Sequence, residues 1–385
     1  MNKKTPKKWA EYILENIADI NYGTRIVKDT AIGNEYYVYG GGDKTFLTSD
    51  YNRENTLVIA RFGMSPKCTR FIKGKFFLND SGLTVETKDK KILNQEFLNW
   101  QLYFLNDYIY LLGKGAAQKN LNVPLFKKIK IAVPKSINEQ QEIAQVLDTM
   151  SDIIRLREEC ISHAQDLIPA LFQEMFDNPQ TNKKNWQICC LKDLAKIDRQ
   201  NISPEELKTK QYTYIGLEHI EKETGRILVD PNSQQDIDLK SNKFFFTNNH
   251  VLYGKLRPYL NKVALPDFDG VCSTDIFPLL PLEGISNKYF LKVLMNTSYF
   301  VNMANSQSSG ANLPRIGTTA LENIKVFKPD YTLQEQFAQK VIEIESYIKE
   351  QNEELENAKQ MFQSLLHHAF TGELTRHKFG GDANG

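Results

Sequence analysis

The clearest hydrophobic pattern in the sequence is a pair of long stretches in which apolar residues recur at alternating steps of four and three. The first runs from Ile143 to Phe176 and the second from Phe337 to Phe370. Such alternation is typical of a coiled-coil seam. The seam positions of the first stretch are Ile143, Leu147, Met150, Ile154, Arg157, Ile161, Ala164, Ile168, Leu171 and Met175. A shift of about 194 positions gives those of the second, which are Phe337, Val341, Ile344, Ile348, Gln351, Leu355, Ala358, Phe362, Leu365 and Ala369.

A polar residue interrupts both seams at the same place, Arg157 in the first and Gln351 in the second. Two helices with one seam and one polar layer are expected to pair with each other, because a polar layer fixes register at some cost in stability. Two unrelated amphipathic helices, each packed on its own domain, are the alternative, and the shared polar layer disfavours it. Pro169 lies inside the first helix, facing away from the seam, and is expected to kink it, whereas its counterpart Gln363 is not.

The duplication extends beyond the helices. Trp9 and Trp186 open two globular segments in the same way, and each globule closes with a small-residue loop, a strand and a proline before its long helix. The sequence therefore predicts a tandem repeat of a globule and a helix. The predicted parts are a first globule at 9–136, a first helix at 137–178, a second globule at 179–330, a second helix at 331–372 and a C-terminal tail at 373–385.

Within the globules, alternating apolar and polar residues bounded by glycine and proline predict short strands, and longer apolar segments predict helices. Strands are predicted at 36–39, 56–61 and 129–133 in the first globule, and at 212–215, 243–246, 251–253 and 324–326 in the second. Helices are predicted at 97–112 and 289–299. Both globules are therefore expected to mix helices and strands.

Composition places the chain among ordinary globular proteins. It has 385 residues, 41% hydrophobic and 25% charged, which is long enough for two domains or more. No apolar run approaches the roughly 20 residues that cross a bilayer, and the lysine-rich start lacks the apolar segment of a signal peptide. A cytoplasmic location is expected, without membrane partners. The five cysteines include no CxxC pair, so no zinc site is predicted.

The net charge of +1 hides an uneven distribution. Residues 1–135 carry about +9 and residues 181–330 about +3, whereas 136–180 carry about −7 and 331–385 about −4. The globules are basic and the helices acidic. This pattern favours globules that dock on nucleic-acid phosphates while the helices stay clear of them.

Basic and polar residues concentrated in glycine-containing loops are the candidates for DNA contact. They are Lys44, Arg61, Lys67, Arg70, Lys114, Gln118 and Lys119 in the first globule, and Lys255, Arg257, Tyr259, Lys262, Asn312 and Arg315 in the second. For any one of them, a solvated surface residue is an equally good interpretation. The run Gly40 to Thr45 is similar to a phosphate-binding loop, but Asp43 stands where that motif requires glycine, so a tight turn is predicted.

Catalytic motifs are missing from the sequence. The nearest match to an adenine-methyltransferase motif, Asp177 to Gln180, has one proline and no aromatic residue, and is interpreted as a helix stop. Pro266-Asp267 lacks the Glu-x-Lys partner of a metal-dependent nuclease, and no Walker motif or metal-spaced histidine set is present. A binding and assembly protein is therefore predicted rather than an enzyme.

In their order, spacing and duplication, these features resemble the specificity subunit of type I restriction–modification systems. The segments that carry the resemblance are Gln118 to Leu121 with the strand before Pro134, Asn138 to Ala144, Leu171 to Phe176, Leu333 to Ala338 and Ala369 to Leu374. Together they cover nearly the whole chain, and their combination is more specific than any one of them.

The resemblance implies an α+β fold: two mixed α/β target recognition domains in tandem repeat, separated by two long helices that form an antiparallel coiled coil. It implies that each domain binds one half of a bipartite, asymmetric double-stranded DNA site. It also implies two methyltransferase (modification) subunits that bind S-adenosylmethionine, and restriction (helicase-nuclease) subunits that use ATP and Mg²⁺. The chain itself would bind no cofactor and catalyse nothing, while the assembled complex would methylate adenine and cleave DNA.

The predicted helix length agrees with this arrangement. Seam residues 143–175 span about 50 Å at 1.5 Å per residue, which corresponds to ~15 base pairs. Two readers so far apart would contact two short blocks of bases with unread DNA between them. A stand-alone double-stranded DNA-binding scaffold, such as a regulatory or anti-restriction protein with the same repeat, is the alternative. An enzyme with an unrecognised site is a third interpretation.

Overall fold

The computed structural model describes residues 9–230 and 241–371. Its residues group into two units, Met1–Glu158 with Glu353–Gly385 as unit 1, and Glu159–Asn352 as unit 2. Each unit therefore contains one globule and a part of both long helices. The predicted tail at 373–385 lies outside the described residues.

The first half of the chain alternates short strands with short helices and ends in the first long helix. Its elements are β1 (Trp9–Ile13), α1 (Leu14–Ile17), β2 (Ala18–Tyr22), β3 (Tyr36–Tyr39), β4 (Leu47–Thr48), β5 (Arg53–Ala60), β6 (Thr69–Leu78), β7 (Gly82–Thr87), α2 (Gln95–Phe104), α3 (Asn106–Leu111), β8 (Gly113–Lys114), β9 (Asn120–Leu121), α4 (Val123–Lys127), β10 (Lys130–Pro134) and α5 (Ile137–Phe176). The main sheet has the order β2-β7-β5-β6-β3-β4, and only its β3–β6 pair is parallel.

The second half repeats this plan with different sheets. Its elements are β11 (Gln187–Cys190), β12 (Ala195–Ile197), β13 (Asn201–Ile202), α6 (Pro204–Thr209), β14 (Thr213–Ile215), β15 (Lys243–Phe246), β16 (Val251–Gly254), β17 (Val263–Ala264), β18 (Gly270–Cys272), β19 (Ile276–Pro281), α7 (Lys288–Asn296), α8 (Ser298–Ser306), α9 (Thr318–Glu322), β20 (Lys325–Lys328) and α10 (Tyr331–Thr371). Two four-stranded sheets, β12-β19-β16-β17 and β13-β15-β18-β14, replace the single large sheet of unit 1.

The same frame closes both globules. The first strand pairs antiparallel with the last, β1 with β10 in unit 1 and β11 with β20 in unit 2. The residue after each first strand then donates a backbone hydrogen bond at the same place, Leu14 N to Ile129 O at 2.9 Å and Leu191 N to Ile324 O at 3.0 Å. These strands lead directly into α5 and α10, so the frame anchors each long helix on its globule.

The long helices pair with each other, and contacts in unit 2 show that they run antiparallel. In unit 1, Arg157 forms an ion pair with Glu354, and Glu158 Oε1 lies 3.1 Å from Lys359 Nζ. In unit 2, Cys160 Sγ lies 3.1 Å from Tyr347 Oη. Further along α5 in that unit, the ring centroid of Phe176 lies 5.3 Å from that of Phe337. The contacting residues therefore have increasing numbers along α5 and decreasing numbers along α10, as in an antiparallel pair. The predicted fold class, with its antiparallel helix pair, is confirmed.

The core of each unit combines helices and globule. In unit 1, Phe97 and Trp100 of α2 pack with Leu147 of α5 and with Phe362 of α10. In unit 2, phenylalanines in stacked and edge-to-face contact join α5, α7 and α10; they are Phe172, Phe176, Phe290 and Phe337. Because the seam residues also belong to these cores, neither helix part is separable from its globule.

Several local predictions need correction. The helix predicted at 97–112 is two helices, α2 and α3, because the backbone at Leu105 leaves helical geometry, with ψ of 8°. The helix predicted at 289–299 likewise divides at Thr297, whose extended backbone and side chain cap α8 by accepting a hydrogen bond from Phe300 N. The strand predicted at 56–61 begins earlier, at Arg53, and ends at Ala60. Pro169 lies within the span of α5, and the kink expected there stays a prediction.

Candidate nucleic-acid interface

The candidate interface of unit 1 is built where the end of β5 meets the β8–β9 hairpin. Leu121 N donates to Arg61 O at 2.8 Å, and Met64 N donates to Lys119 O at 2.8 Å. The side chain of Asn120 accepts a further hydrogen bond from Gly63 N at 3.2 Å. We call this strand-to-loop connection the loop junction. It joins the two chain segments that carry the predicted contact residues Arg61 and Lys119, while the loop residues Lys114 and Gln118 are exposed.

Unit 2 contains the same loop junction. Ile316 N donates to Lys255 O at 3.1 Å, and Arg257 N donates to Pro314 O at 2.7 Å. An isolated bridge between Leu256 and Arg315 completes it. Lys255 therefore occupies the place that Arg61 occupies in unit 1, and the loop before the closing strand is held in both units by the same pair of backbone bonds.

Aromatic rings hold the cations at the unit 1 junction. The guanidinium of Arg61 lies 4.7 Å from the ring centroid of Tyr22 and 4.4 Å from that of Phe62, and it donates to Asp80 O at 3.3 Å. Lys119 Nζ lies 3.6 Å from the ring centroid of Tyr110. Stacking on a ring orients a cation without neutralising it, so these side chains keep their charge for an anionic partner.

The glycine run lies in the connection between β3 and β4, which bends at 40–43 and is a longer loop than the predicted tight turn. Gly41 N donates to Ser81 Oγ at 3.1 Å, and a Cβ at Gly41 would lie 2.2 Å from Phe62 O, so no larger residue fits there. Arg70 donates to Gly41 O and lies 3.5 Å from Asp43 Oδ1. Burial lowers the pKa of Arg70, which nevertheless stays charged. This arginine therefore fastens the loop to the sheet.

The remaining unit 1 candidates lie in different surroundings. Lys44 Nζ lies over the ring of Tyr37 at 4.5 Å. Lys67 is exposed and, with Arg70, lines an open cavity of about 350 Å³ whose floor includes Tyr103 and Phe362. The structure thus groups Arg61, Lys114, Gln118 and Lys119 at the junction, whereas Lys67 and Arg70 line the cavity.

In unit 2, two of the predicted cations lie next to Asp275, an acidic residue that is not among the sequence-based candidates. Asp275 Oδ1 lies 3.4 Å from Arg315 Nε and 3.8 Å from Lys255 Nζ. Lys262 donates to Leu217 O at 2.6 Å and so serves the fold of the globule. The other candidates, Arg257, Tyr259 and Asn312, are exposed.

The predicted helix-pairing residues are never exposed, although their individual roles stay a prediction. Buried seam positions are Ile143, Leu147, Ile161, Ala164, Phe337, Val341, Leu355, Phe362 and Ala369. Half-buried ones are Met150, Ile154, Arg157, Ile168, Leu171, Met175, Ile344, Ile348, Gln351, Ala358 and Leu365. The polar layer holds an ion pair, Arg157 with Glu354.

The family model described as the type I restriction modification DNA specificity domain matches residues 6–163 and 183–357. The chain belongs to this family. The two matched segments each contain one globule and part of the following long helix, which agrees with the tandem repeat seen in the sequence and in the two loop junctions.

Relatives and solved structures agree with the family. The specificity subunit of the type I restriction enzyme EcoDI from Escherichia coli is 27% identical over 322 residues, covering 74% of this chain and 71% of the relative. That of the enzyme MjaVIII from Methanocaldococcus jannaschii is 23% identical over 330 residues, covering 78% and 76%. The crystal structure of a type I restriction-modification S subunit from Mycoplasma genitalium has the same fold, with a TM-score of 0.63 at 17% identity and coverage of 96% and 97%.

Two further observations concern what a specificity-domain protein could bind. Within residues 9–230 and 241–371, no group of three or more His, Cys, Asp and Glu side chains is arranged to hold a metal ion. Across the same two ranges, none of the helices is both long and apolar enough to cross a membrane.

Proposed function

We propose that the chain is the DNA-recognition subunit of a type I restriction–modification complex. Each globule binds one half of a bipartite, asymmetric double-stranded DNA site, and the helices set the spacer between the halves. The observation that carries this proposal is the duplicated loop junction, which presents cations at equivalent places in units with different sheets. Equivalent scaffolds with different surfaces are suited to reading different sequences.

The charges support DNA as the ligand. Arg61 and Lys119 are stacked on rings, and Arg257 is exposed, in loops of the two basic globules. Arginine and lysine in such positions neutralise phosphates and release counterions, so affinity for DNA falls steeply with salt. An arginine can also contact guanine through two hydrogen bonds, which makes Arg61 a candidate for base readout.

The long helices offer a surface for the modification subunits. Beside the seam in unit 1, exposed apolar side chains accumulate at Val146, Ile153 and Leu156 of α5 and at Met361 of α10, with Leu156 and Met361 more than half exposed. Val146 and Ile153 stand one heptad apart and therefore on the same side of the helix. Apolar residues flanking a paired seam are suited to packing of further helices, and we assign this stripe to docking of the two methyltransferase subunits.

In this proposal, the partner subunits catalyse DNA methylation and cleavage. The modification subunits would bind S-adenosylmethionine, and the restriction subunits would use ATP and Mg²⁺. The chain itself supplies DNA recognition and assembly, as its similarity to specificity subunits of type I restriction enzymes suggests.

The test is a chimera in which residues 186–329 are replaced by the equivalent segment of a relative, expressed with the modification subunits. One half of the methylated sequence is expected to change, while the other half and the spacer stay the same, because the scaffold is common and the reading surfaces are separate. The measurement is genome-wide mapping of methylated adenines, with the parent gene and a deletion as controls.

Two results would contradict the proposal. If both half-sites change together in the chimera, the globules do not read separately. If deletion of the gene leaves adenine methylation intact, the stand-alone DNA-binding scaffold becomes the better interpretation.

A further inference from the structure

In unit 2, a carboxylate lies between two cations at the loop junction. Asp275 Oδ1 is 3.4 Å from Arg315 Nε and 3.8 Å from Lys255 Nζ, and the side chains of these three residues are 31%, 46% and 23% exposed. We call this group the junction triad. Its three members come from three separate segments, so only the folded globule assembles it.

Backbone hydrogen bonds fix the triad in place. Lys255 N donates to Asp275 O at 3.0 Å, and Lys255 O accepts from Ile316 N at 3.1 Å. The Asp275 N–H donates in turn to Ser273 Oγ at 3.2 Å. A group positioned this way loses little conformational entropy when a ligand binds, which is the requirement for a selective contact.

The triad has both a hydrogen-bond acceptor and hydrogen-bond donors that are available to a ligand. Both cations approach the same oxygen, and the described residues provide no hydrogen-bond partner for Asp275 Oδ2. Among the same residues, the Arg315 guanidinium bonds only through Nε, which leaves its terminal nitrogens available. One acceptor and several donors therefore stand next to each other on the surface.

The negative charge of the carboxylate restricts which chemical groups of DNA can lie next to it. A phosphate oxygen or a base acceptor, such as guanine O6 or thymine O4, is repelled by a carboxylate. In the major groove, the favourable partners of a carboxylate are the exocyclic amines, cytosine N4 and adenine N6. A phosphate-only surface would be expected to carry cations without an acid among them.

We propose that Asp275 is a specificity-determining residue of the second globule, which requires a base with an exocyclic amine, cytosine or adenine, at one position of one DNA strand. The inference rests on the proposed function. Lys255 and Arg315 hold the carboxylate and neutralise its repulsion of the neighbouring phosphates, and the free terminal nitrogens of Arg315 contact the adjacent base or phosphate.

The test compares the full chain, in complex with its modification subunits, as parent, Asp275→Asn and Asp275→Ala. Asparagine keeps the size of the side chain and an acceptor oxygen but adds a donor, so it can pair either with the amine or with the acceptor oxygen that replaces it in the inverted pair. Alanine removes the contact. Binding is measured on duplexes in which each base pair of the methylated motif is inverted in turn. Inversion moves the amine to the opposite strand and presents an acceptor oxygen in its place.

At one position of one half-site, the parent is expected to reject the inverted pair about tenfold or more. Both variants should lose about tenfold of that discrimination, and the motif methylated in cells should become degenerate there. The other half-site should be unchanged. Asp43→Asn is the matched control, since Asp43 also faces an arginine, at 3.5 Å from Arg70 Nη1, but its side chain is fully exposed in unit 1. It should leave the half-site read by the second globule unaltered.

A uniform change in affinity, with the motif intact in both variants, would overturn the proposal, because Asp275 would then only position the cations. If the parent itself shows no bipartite motif, the proposed function fails instead. Should Asp275→Ala not fold, the size-matched asparagine variant still decides the outcome.

Discussion

Two buried glutamines show how single residues fasten the long helices to their globules. Gln140 Nε2 donates to Ile92 O and Pro134 O, both at 2.9 Å, and its Oε1 accepts from Asn94 N at 2.7 Å. Gln334 makes the same two donor contacts in unit 2, to Ile285 O and Pro329 O, both at 3.0 Å. Both side chains are fully buried. One amide thus connects three chain segments at the start of each helix.

The change Gln140→Met should destabilise unit 1 by roughly 2–4 kcal/mol, because it removes three hydrogen bonds made by a fully buried amide and leaves the buried Pro134 carbonyl without a partner. The measurement is the urea unfolding midpoint of the full chain, followed by a probe in unit 1 such as Trp100 fluorescence. The neighbouring Gln141 is exposed, so Gln141→Met is the matched control and should change stability by less than about 0.5 kcal/mol. Equal midpoints for the two variants would show that the amide contacts carry no net stability.

Only some of these functionally placed residues can be found from the sequence. Gln140 and Gln334 occupy matching positions of the repeat, so aligning the two halves of the sequence is enough to show that they are equivalent. Asp275 is not visible in that way, because it lies 20 residues after Lys255 and 40 before Arg315 and no pattern connects the three. Likewise, nothing in the sequence indicates that Tyr22 would stack on Arg61, since that contact depends on how the loops fold.

At the scale of elements, prediction succeeds where a period is repeated many times. Ten seam positions in each long stretch specify helices that the structure places at Ile137–Phe176 and Tyr331–Thr371. Most strands of the globules have only two to five residues, so the alternation of apolar and polar residues repeats too few times to be reliable. Their helices also break at Leu105, where the backbone leaves helical geometry, and at Thr297, whose side chain caps the next helix, although the apolar pattern continues across both breaks.

Two substitutions on one helix should separate stability from assembly. Leu147 is fully buried in the core of unit 1, so Leu147→Asp should cost several kcal/mol by burying an unpaired charge. Leu156 is 54% exposed beside the seam, so Leu156→Asp should leave the melting temperature nearly unchanged while weakening binding of the modification subunits. Melting curves and co-purification with the modification subunits are the two measurements.

The predictions for these two substitutions can be contradicted independently. A Leu147→Asp protein that melts like the parent would remove the support for the paired-helix core. A Leu156→Asp protein that still binds the modification subunits with parental affinity would show that the exposed apolar stripe has another use.

At the scale of the molecule, the two units share the elements that join globule to helix but differ in their main sheets. The β1–β10 and β11–β20 pairs, the loop junctions and the buried glutamines recur, whereas one six-stranded sheet stands in unit 1 and two four-stranded sheets in unit 2. The repeated parts are those that join a globule to a helix. Under the proposed function, the parts that differ are those that contact the DNA sequence, so the spacing of the two half-sites should be a property of the helices alone.

Lengthening both helices therefore tests the proposed spacer directly. One heptad, inserted into α5 and α10 so that the seam stays in phase, adds about 10 Å, or ~3 base pairs, but DNA twist over that length also rotates one half-site. Three heptads add about 31 Å, close to one turn of B-DNA at roughly 34–36 Å, so both half-sites return to nearly the same face. The three-heptad variant is expected to methylate a motif with both half-sites retained and the spacer lengthened by about nine or ten base pairs. Insertion of two residues in each helix is the out-of-phase control, because it rotates the apolar positions beyond it by about 200° and so removes them from the seam, and methylation should be abolished. A three-heptad complex that methylates the parental motif with its original spacer would show that the helices do not set the distance.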